Sequence, residues 1–153
     1  MIERDAGQRL IELWADFPVV LVSGARQVGK TTLVGLLERS LKIAQRVTLD
    51  HSGALERASE DPELFVDGLR LPAFIDEAQK SPALFEAVKQ VVDRQRRSGQ
   101  FVLSGSANFL LLRRVSESLA GRSARLFLRG VSLRERLGRV GKLPHLTDCL
   151  KAR

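Results

Sequence analysis

The sequence predicts an α/β protein built on a five-stranded, mostly parallel sheet with helices on both faces. Two observations support this fold class. Five short runs rich in apolar residues recur along the chain, and segments with helical spacing of apolar residues separate them. This alternation favours a parallel sheet, because parallel strands need a long crossover that a helix can supply. With 153 residues and 44% hydrophobic content, the chain has material for one core.

A proline separates the first predicted helix from the first strand. The segment from Ile2 to Asp16 mixes apolar and charged residues in a pattern that predicts an amphipathic helix. Its apolar positions are Leu10, Ile11, Leu13 and Trp14. Pro18 ends this helix, because proline has no N–H to donate. The run Val19–Gly24 is rich in β-branched residues and leucine and is bounded by a proline and a glycine, which is typical of a strand covered on both faces.

A second helix and a second strand follow. We predict a helix from about Lys30 to Leu41, followed by a short strand at Arg46–Asp50. The predicted apolar stripe of the helix consists of Leu33, Leu36, Leu37 and Leu41.

Two later helix starts are indicated by a polar residue followed by proline. Asp61-Pro62 and Ser81-Pro82 each offer a side-chain acceptor at the N-cap and a proline at the first helical position. The second of these helices is predicted to bury Leu84, Phe85, Val88, Val91 and Val92. The remaining predicted strands are Ala73–Asp76, Phe101–Ser104 and Ala124–Leu128.

The segment "GARQVGKT", Gly24 to Thr31, fits the phosphate-loop pattern G-x-x-x-x-G-K-[ST]. It lies between a predicted strand and a predicted helix, so backbone N–H groups and the helix N-terminus would point at phosphate oxygens. Lys30 would bridge the β- and γ-phosphates, and Thr31 would offer its hydroxyl to Mg²⁺. The predicted nucleotide contacts are Gly24, Ala25, Arg26, Gln27, Val28, Gly29, Lys30, Thr31 and Thr32.

Two adjacent carboxylates end the predicted strand in "FIDEAQ". Like charges side by side at the rim of a core repel each other, so a metal or a reacting water would explain them better than packing does. We predict that Asp76 holds Mg²⁺ and that Glu77 activates the water that attacks the γ-phosphate. A rival interpretation makes Glu77 a helix-start residue without chemistry.

Two later segments supply further candidates. "FVLSGSANF" ends a strand with Ser104, Ser106 and Asn108, and Ser106 is our candidate for a catalytic group that senses the γ-phosphate. Ser106 or Asn108 could equally cap the next helix. Arg122 in "ESLAGRSARLFL" is a candidate phosphate contact in its own or a neighbouring subunit, with a surface arginine as the alternative.

The ordered set "GARQVGKTTL", "FIDEAQ", "LSGSANF" and "ESLAGR" resembles a prokaryotic family of AAA-type ATP-binding proteins, from about Phe17 to Leu128. The resemblance implies a P-loop sheet of the additional-strand class. It also implies that Lys30, Thr31, Asp76 and Glu77 form the nucleotide and magnesium site.

The resemblance also suggests how the chain is organised. We expect a packed N-terminal helix at 1–16, the ATP-binding domain at 17–130 and a short tail at 131–153. Members of that family continue into a long second region that includes a lid, so a truncated or isolated domain is expected here.

The charge of the chain is divided unevenly along its length. The net charge is +7, but residues 1–93 carry 11 Lys and Arg against 15 Asp and Glu, whereas residues 94–153 carry 14 against 3. The basic C-terminal half would suit a nucleic acid or an acidic protein, and a solvated cationic face is the alternative.

One cysteine excludes an internal disulfide, and neither a signal peptide nor a membrane span is evident, so we expect a cytoplasmic protein.

These patterns together predict a Mg²⁺-dependent ATP-binding domain that hydrolyses the β–γ bond of ATP, weakly in isolation. The expected cofactors are ATP and Mg²⁺, and a homo-oligomer is an expected assembly. Two alternatives stay open: an ATP-dependent switch without useful turnover, and nucleic-acid binding through the basic half. "DEAQ" also looks like a helicase acid box, but a second motor domain is missing, so this reading ranks last.

Overall fold

The computed structural model describes residues 5–106, 118–132 and Glu135. The elements are α1 Asp5–Asp16, β1 Val19–Gly24, α2 Lys30–Leu36, β2 Gln45–Thr48, α3 Ser52–Glu60, α4 Pro62–Asp67, β3 Ala73–Asp76, α5 Leu84–Gln95, β4 Phe101–Ser106 and β5 Ser123–Leu128. A 3₁₀ turn, Ala78–Lys80, follows β3. Within this described part, no helix is both long enough and apolar enough to cross a lipid bilayer.

The five strands form one sheet in the order β2-β3-β4-β1-β5. All neighbouring strands are parallel, so their carboxyl ends meet at one edge of the sheet. β4 lies between β1, which precedes the phosphate loop, and β3, which carries the paired acids. The predicted fold class is therefore confirmed, with β4 as the additional strand.

Helices cover both faces of the sheet because successive strand residues point to opposite sides. In β1, Val19 and Leu21 face a core built with α3, α4 and α5, whereas Val20 and Val22 face a core built with α1 and α2. Each large apolar side chain that is fully buried stabilises the fold by roughly 1.5–3 kcal/mol. The cores hold the sheet rigid and thereby fix the positions of the loops at its carboxyl edge.

The second helix is shorter than predicted. α2 ends at Leu36, which is 44% exposed, and not at Leu41. The chain turns instead through residues 37–42, where Lys42 has a φ of 53°, a value that an α-helix does not admit. Leu41 is buried as predicted, because the turns carry it back onto the core.

Several other boundaries differ from the predictions by a few residues, and two of them have an identifiable cause. β2 ends at Thr48 and not at Asp50, because the Thr48 hydroxyl accepts a hydrogen bond from the Asp50 N–H at 3.2 Å and bends the chain. The helix predicted from Ser81-Pro82 begins only at Leu84. Ser81 is buried, and its hydroxyl donates to the Ala58 carbonyl at 2.8 Å, so it does not cap α5.

Candidate active site

The loop between β1 and α2 lies at the carboxyl edge of the sheet and begins where two strands approach closely. A Cβ on Gly24 would lie 2.3 Å from the Leu128 carbonyl oxygen of β5, so only glycine fits. Gln27 and Gly29 both have left-handed backbones, with φ of 61° and 90°, and these fold the loop into a tight turn. The first N–H groups of α2 lack intrahelical acceptors and are available to an anion there.

Lys30, the first residue of α2, is only 6% exposed. Its Nζ donates to the carbonyl oxygens of Gly24 at 3.2 Å and Ala25 at 3.0 Å. Both partners are neutral, so they accept from two of the three N–H groups of the ammonium without cancelling its charge. A buried ammonium whose charge is not neutralised by its partners favours an anionic ligand.

Asp76 ends β3 and is 8% exposed. Its Oδ2 accepts a hydrogen bond from Thr31 Oγ1 at 2.6 Å, although the two residues lie 45 positions apart. Its Oδ1 accepts from the Ser104 hydroxyl and from the Glu77 N–H, the latter at 3.1 Å. The structure thus brings the loop threonine and the first acid of the pair into direct contact.

Glu77 follows Asp76 with a left-handed backbone, φ 56° and ψ 37°. Its Oε2 accepts from Gln79 Nε2 at 2.5 Å, whereas Asp76 contacts Thr31 and Ser104. The left-handed turn lets successive carboxylates reach different partners, which reduces their mutual repulsion.

An open cleft of about 620 Å³ lies in front of these groups, within the range of small-molecule sites. It is lined by Arg26, Gln27, Gly29, Lys30, Thr31, Thr32, Asp50, Glu77, Gln79, Lys80 and Ser106. The other three predicted contacts support the loop from outside the lining: Gly24 and Ala25 bind Lys30 through their carbonyls, and Val28 packs against the core.

Comparison with known proteins bears on the family and the fold of this chain. A family model described as an AAA domain matches residues 16–137. The chain belongs to this AAA domain family. It is also 40% identical, over 133 residues, to the uncharacterized proteins Rv2008c of Mycobacterium tuberculosis and Mb2031c of Mycobacterium bovis. The match covers 86% of this chain but only 30% of each relative.

A solved structure supports the fold of the AAA domain. The P-loop NTPase domain of the sigma-54 transport activator from E. coli superposes with a TM-score of 0.51. The match covers 78% of this chain and 90% of that chain at 12% identity, so it bears on the fold alone.

The polar residues predicted at the end of β4 have separate positions in the AAA domain. Ser106 lines the cleft, and Ser104 is buried beneath it against Asp76. Asn108 lies outside the described residues. A sensing role for Ser106 stays a prediction.

Arg122 lies at the opposite edge of the sheet from the cleft. It directly precedes β5, whose first residue pairs with Val19 at the amino end of β1. Its guanidinium donates to the Asp93 carboxylate at 2.5 and 3.0 Å. These bonds lower the pKa of Asp93 and raise the pKa of Arg122. The predicted contact between Arg122 and a phosphate of its own subunit is therefore wrong, because the length of β5 separates Arg122 from the cleft. A contact with a phosphate in a neighbouring subunit stays a prediction.

Three residues of the cleft were missing from the predicted site: Asp50, Gln79 and Lys80. Lys80 Nζ contacts Asp50 Oδ1 at 2.7 Å across the cleft, and Gln79 contacts Glu77. All three lie within four residues of the carboxyl end of β2 or β3. The rule that parallel strands present their carboxyl ends at one edge could have identified them.

Proposed function

We propose that this AAA domain binds ATP with Mg²⁺ and hydrolyses the β–γ phosphate bond. The observation that carries the proposal is the 2.6 Å contact between Thr31 Oγ1 and Asp76 Oδ2. It joins a hydroxyl from the phosphate loop to the carboxylate at the end of β3, although β4 lies between β3 and the strand that precedes the loop. Such hard oxygen donors beside bound phosphates suit Mg²⁺.

The residues present also suit ATP and its metal ion. The cleft of about 620 Å³ could accommodate a nucleotide, and its base carries a buried lysine ammonium beside free helix N–H groups. When bound, Mg²⁺ would neutralise charge that develops on the phosphates. Thr31 and Asp76 would hold it, directly or through a water.

Three residues would then carry the chemistry. Lys30 would bind the β- and γ-phosphate oxygens, and Ser106 would contact the γ-phosphate from the end of β4. Glu77 would accept a proton from the attacking water as its oxygen bonds to the γ-phosphorus and the bond to the bridging oxygen breaks. A general base in this role typically contributes about 10²- to 10⁴-fold in rate.

Sequence features favour ATP and water as reactants. An N-K-x-D guanine signature does not occur in the sequence. An acid directly after the metal-binding aspartate fits water as the phosphoryl acceptor, because such an acid can take the proton of that water.

We also keep as proposals the division of the chain into residues 1–16, 17–130 and 131–153 and the expected homo-oligomer. Because the chain spans 30% of the length of its mycobacterial relatives, the activity of a whole relative is a proposal as well.

Binding is tested first with Lys30→Ala. We expect this variant to lose binding of a labelled ATP analogue, because the buried ammonium contacts the phosphates. Lys89→Ala is the matched control, since Lys89 pairs with Glu86 on the exposed surface of α5. Unchanged affinity in Lys30→Ala would refute binding at this loop.

Hydrolysis is tested with Glu77→Gln in the same preparation. We expect ATP binding to persist and phosphate release to fall by about 10²- to 10⁴-fold, because an amide cannot take the proton of the water. Glu63→Gln, at an exposed position of α4, controls for the loss of one carboxylate. Normal turnover in Glu77→Gln would remove the assigned role. A wild-type chain that binds ATP without releasing phosphate would instead support a switch.

A further inference from the structure

We propose that Gln79 is a positioning residue that holds the Glu77 carboxylate in the orientation needed to activate water. This inference rests on the proposed function and deepens it. Gln79 lines the cleft. The resemblance of the sequence to the AAA-type family implied no role for this residue.

The contact itself has a defined direction. Gln79 Nε2 lies 2.5 Å from Glu77 Oε2. An ionised carboxylate only accepts hydrogen bonds, so the amide nitrogen, and not the amide oxygen, must face it. The bond therefore holds one carboxylate oxygen and leaves the other, Oε1, for a water in the cleft.

The backbone keeps the two side chains together. Glu77 precedes the 3₁₀ turn Ala78–Lys80, and the Lys80 N–H donates to the Glu77 carbonyl at 3.0 Å. Ala78, between the two partners, is fully buried and anchors the turn in the core. The turn thus places Gln79 within reach of Glu77.

The other end of the glutamine side chain indicates why it is held there. Gln79 Oε1 is buried and has no hydrogen-bond partner among the described residues. Leaving such an acceptor unsatisfied is unfavourable. Hydrogen bonding of the amide oxygen therefore does not explain the position of the Gln79 side chain, whereas the bond from its amide nitrogen to Glu77 does.

Fixing the carboxylate matters because catalysis by a general base depends on geometry. A misplacement of about 1 Å can lower a rate by about 10²-fold. Without Gln79, the Glu77 side chain would rotate among orientations, most of which do not face the attacking water. Nucleotide binding would be unaffected, since the loop and Lys30 make those contacts.

The test compares Gln79→Ala with Gln90→Ala. Gln90 makes the same kind of bond, to Glu63 Oε1 at 2.8 Å, but on the exposed surface, so it is a matched control. We expect Gln79→Ala to lower kcat by about tenfold or more while KM and ATP affinity stay within about twofold. Gln90→Ala should leave all three unchanged.

A double variant tests whether Gln79 acts through Glu77. Glu77→Gln combined with Gln79→Ala should be no slower than Glu77→Gln alone, because no general base is left for Gln79 to position. A further loss in the double variant would contradict the inference. So would a Gln79→Ala variant that turns over ATP at the wild-type rate or faster, or that loses ATP binding along with turnover.

A measurement without nucleotide tests the pair directly. By NMR, the side-chain amide protons of Gln79 should shift on Glu77→Ala, whereas those of Gln90 should not. No shift would overturn the inference. If the wild-type chain releases no phosphate, the proposed hydrolysis fails and the inference with it. If wild type and Glu77→Gln behave as proposed and only the Gln79 results disagree, the inference alone fails.

Discussion

Asp76 and Glu77 are neighbours in sequence but have different surroundings. Asp76 is buried against Thr31 and Ser104, and Glu77 lines the open cleft beside Gln79. The left-handed backbone of Glu77 separates the two side chains. This backbone conformation is strained for any residue other than glycine. Such local strain at paired acids fits a site in which each carboxylate has its own task.

At the start of the loop, we predict that Gly24→Ala destabilises the protein by about 1–3 kcal/mol. The added Cβ would lie 2.3 Å from the Leu128 carbonyl oxygen, and that backbone cannot yield without moving β5. Gly53→Ala in α3 is the control, because its Cβ would meet nothing within 4 Å and alanine favours helix by up to about 1 kcal/mol. Denaturant unfolding measures both; equal stability of the two variants would contradict the close approach.

For Thr31, we predict that Thr31→Ala weakens ATP binding by about 10- to 100-fold in the presence of Mg²⁺ and has little effect in EDTA. The hydroxyl that contacts Asp76 would be lost, while the backbone of the loop would be retained. Thr31→Ser keeps the hydroxyl and should bind nearly as well as wild type. Equal weakening with and without Mg²⁺ would indicate a general effect on the loop.

At the scale of elements, two similar sequence signals have different outcomes. Asp61-Pro62 begins α4 as predicted, with an Asp61 carboxylate oxygen accepting from the Leu64 N–H at 2.9 Å. Ser81-Pro82 precedes α5 by two residues, because the buried Ser81 hydroxyl binds the Ala58 carbonyl of α3. The packing of α3 against this turn thus decides which partner the serine has.

We predict that Asp61→Ala destabilises the domain by about 1 kcal/mol through loss of the α4 N-cap. Asp61→Asn should retain most of the stability, because asparagine caps a helix about as well as aspartate does. Chemical denaturation compares the two variants with wild type. If Asp61→Asn were as unstable as Asp61→Ala, the charge and not the cap would matter.

The contact between α5 and the start of β5 should make stability depend on pH. The hydrogen bond from Arg122 lowers the pKa of Asp93, which is ordinarily near 3.8. The pair therefore adds stability above that ordinary value, and the contribution is lost as pH falls through the lowered pKa. We predict that Asp93→Asn is less stable than wild type at pH 7 and that the difference disappears at low pH.

Unfolding curves recorded from pH 7 down to about pH 2, at low and high salt, measure this difference. Because the pair is solvent-exposed, salt should also reduce it. A difference that persists unchanged at low pH would indicate packing and not ionisation.

For the whole molecule, the division of charge along the sequence is not a division in space. Arg94, in the basic half, contacts Asp67 of α4, and Arg122 contacts Asp93. Acids of the N-terminal half thus neutralise part of the basic half when the chain folds. A nucleic-acid or acidic protein partner stays a prediction, and these two arginines are poorly available to it.

We predict that Asp67→Asn combined with Asp93→Asn, by freeing the two arginines, raises the affinity for duplex DNA. The slope of log K against log salt should steepen by about 0.9 for each added phosphate contact. Binding measured between low and physiological salt tests this. An unchanged slope would place both arginines away from any DNA surface, and no binding by any variant would remove the nucleic-acid partner.

Much of the fold was predictable because its signals are local. The β3 strand was predicted with its observed ends, Ala73–Asp76, and the buried residues of α5 were predicted except for Ala87. Helix ends were less predictable: α2 ends before Leu41 because the chain must turn back toward β2, and nothing near Leu36 indicates that need.

For the site, neighbouring residues were sufficient to indicate the phosphate loop and the acid pair, since glycine spacing, the end of a strand and adjacent charges are properties of short segments. Only folding brought Thr31 to Asp76 and placed Arg122 at the far edge of the sheet. The reason is physical: strand order and register join residues far apart in the chain, and no short segment contains that information.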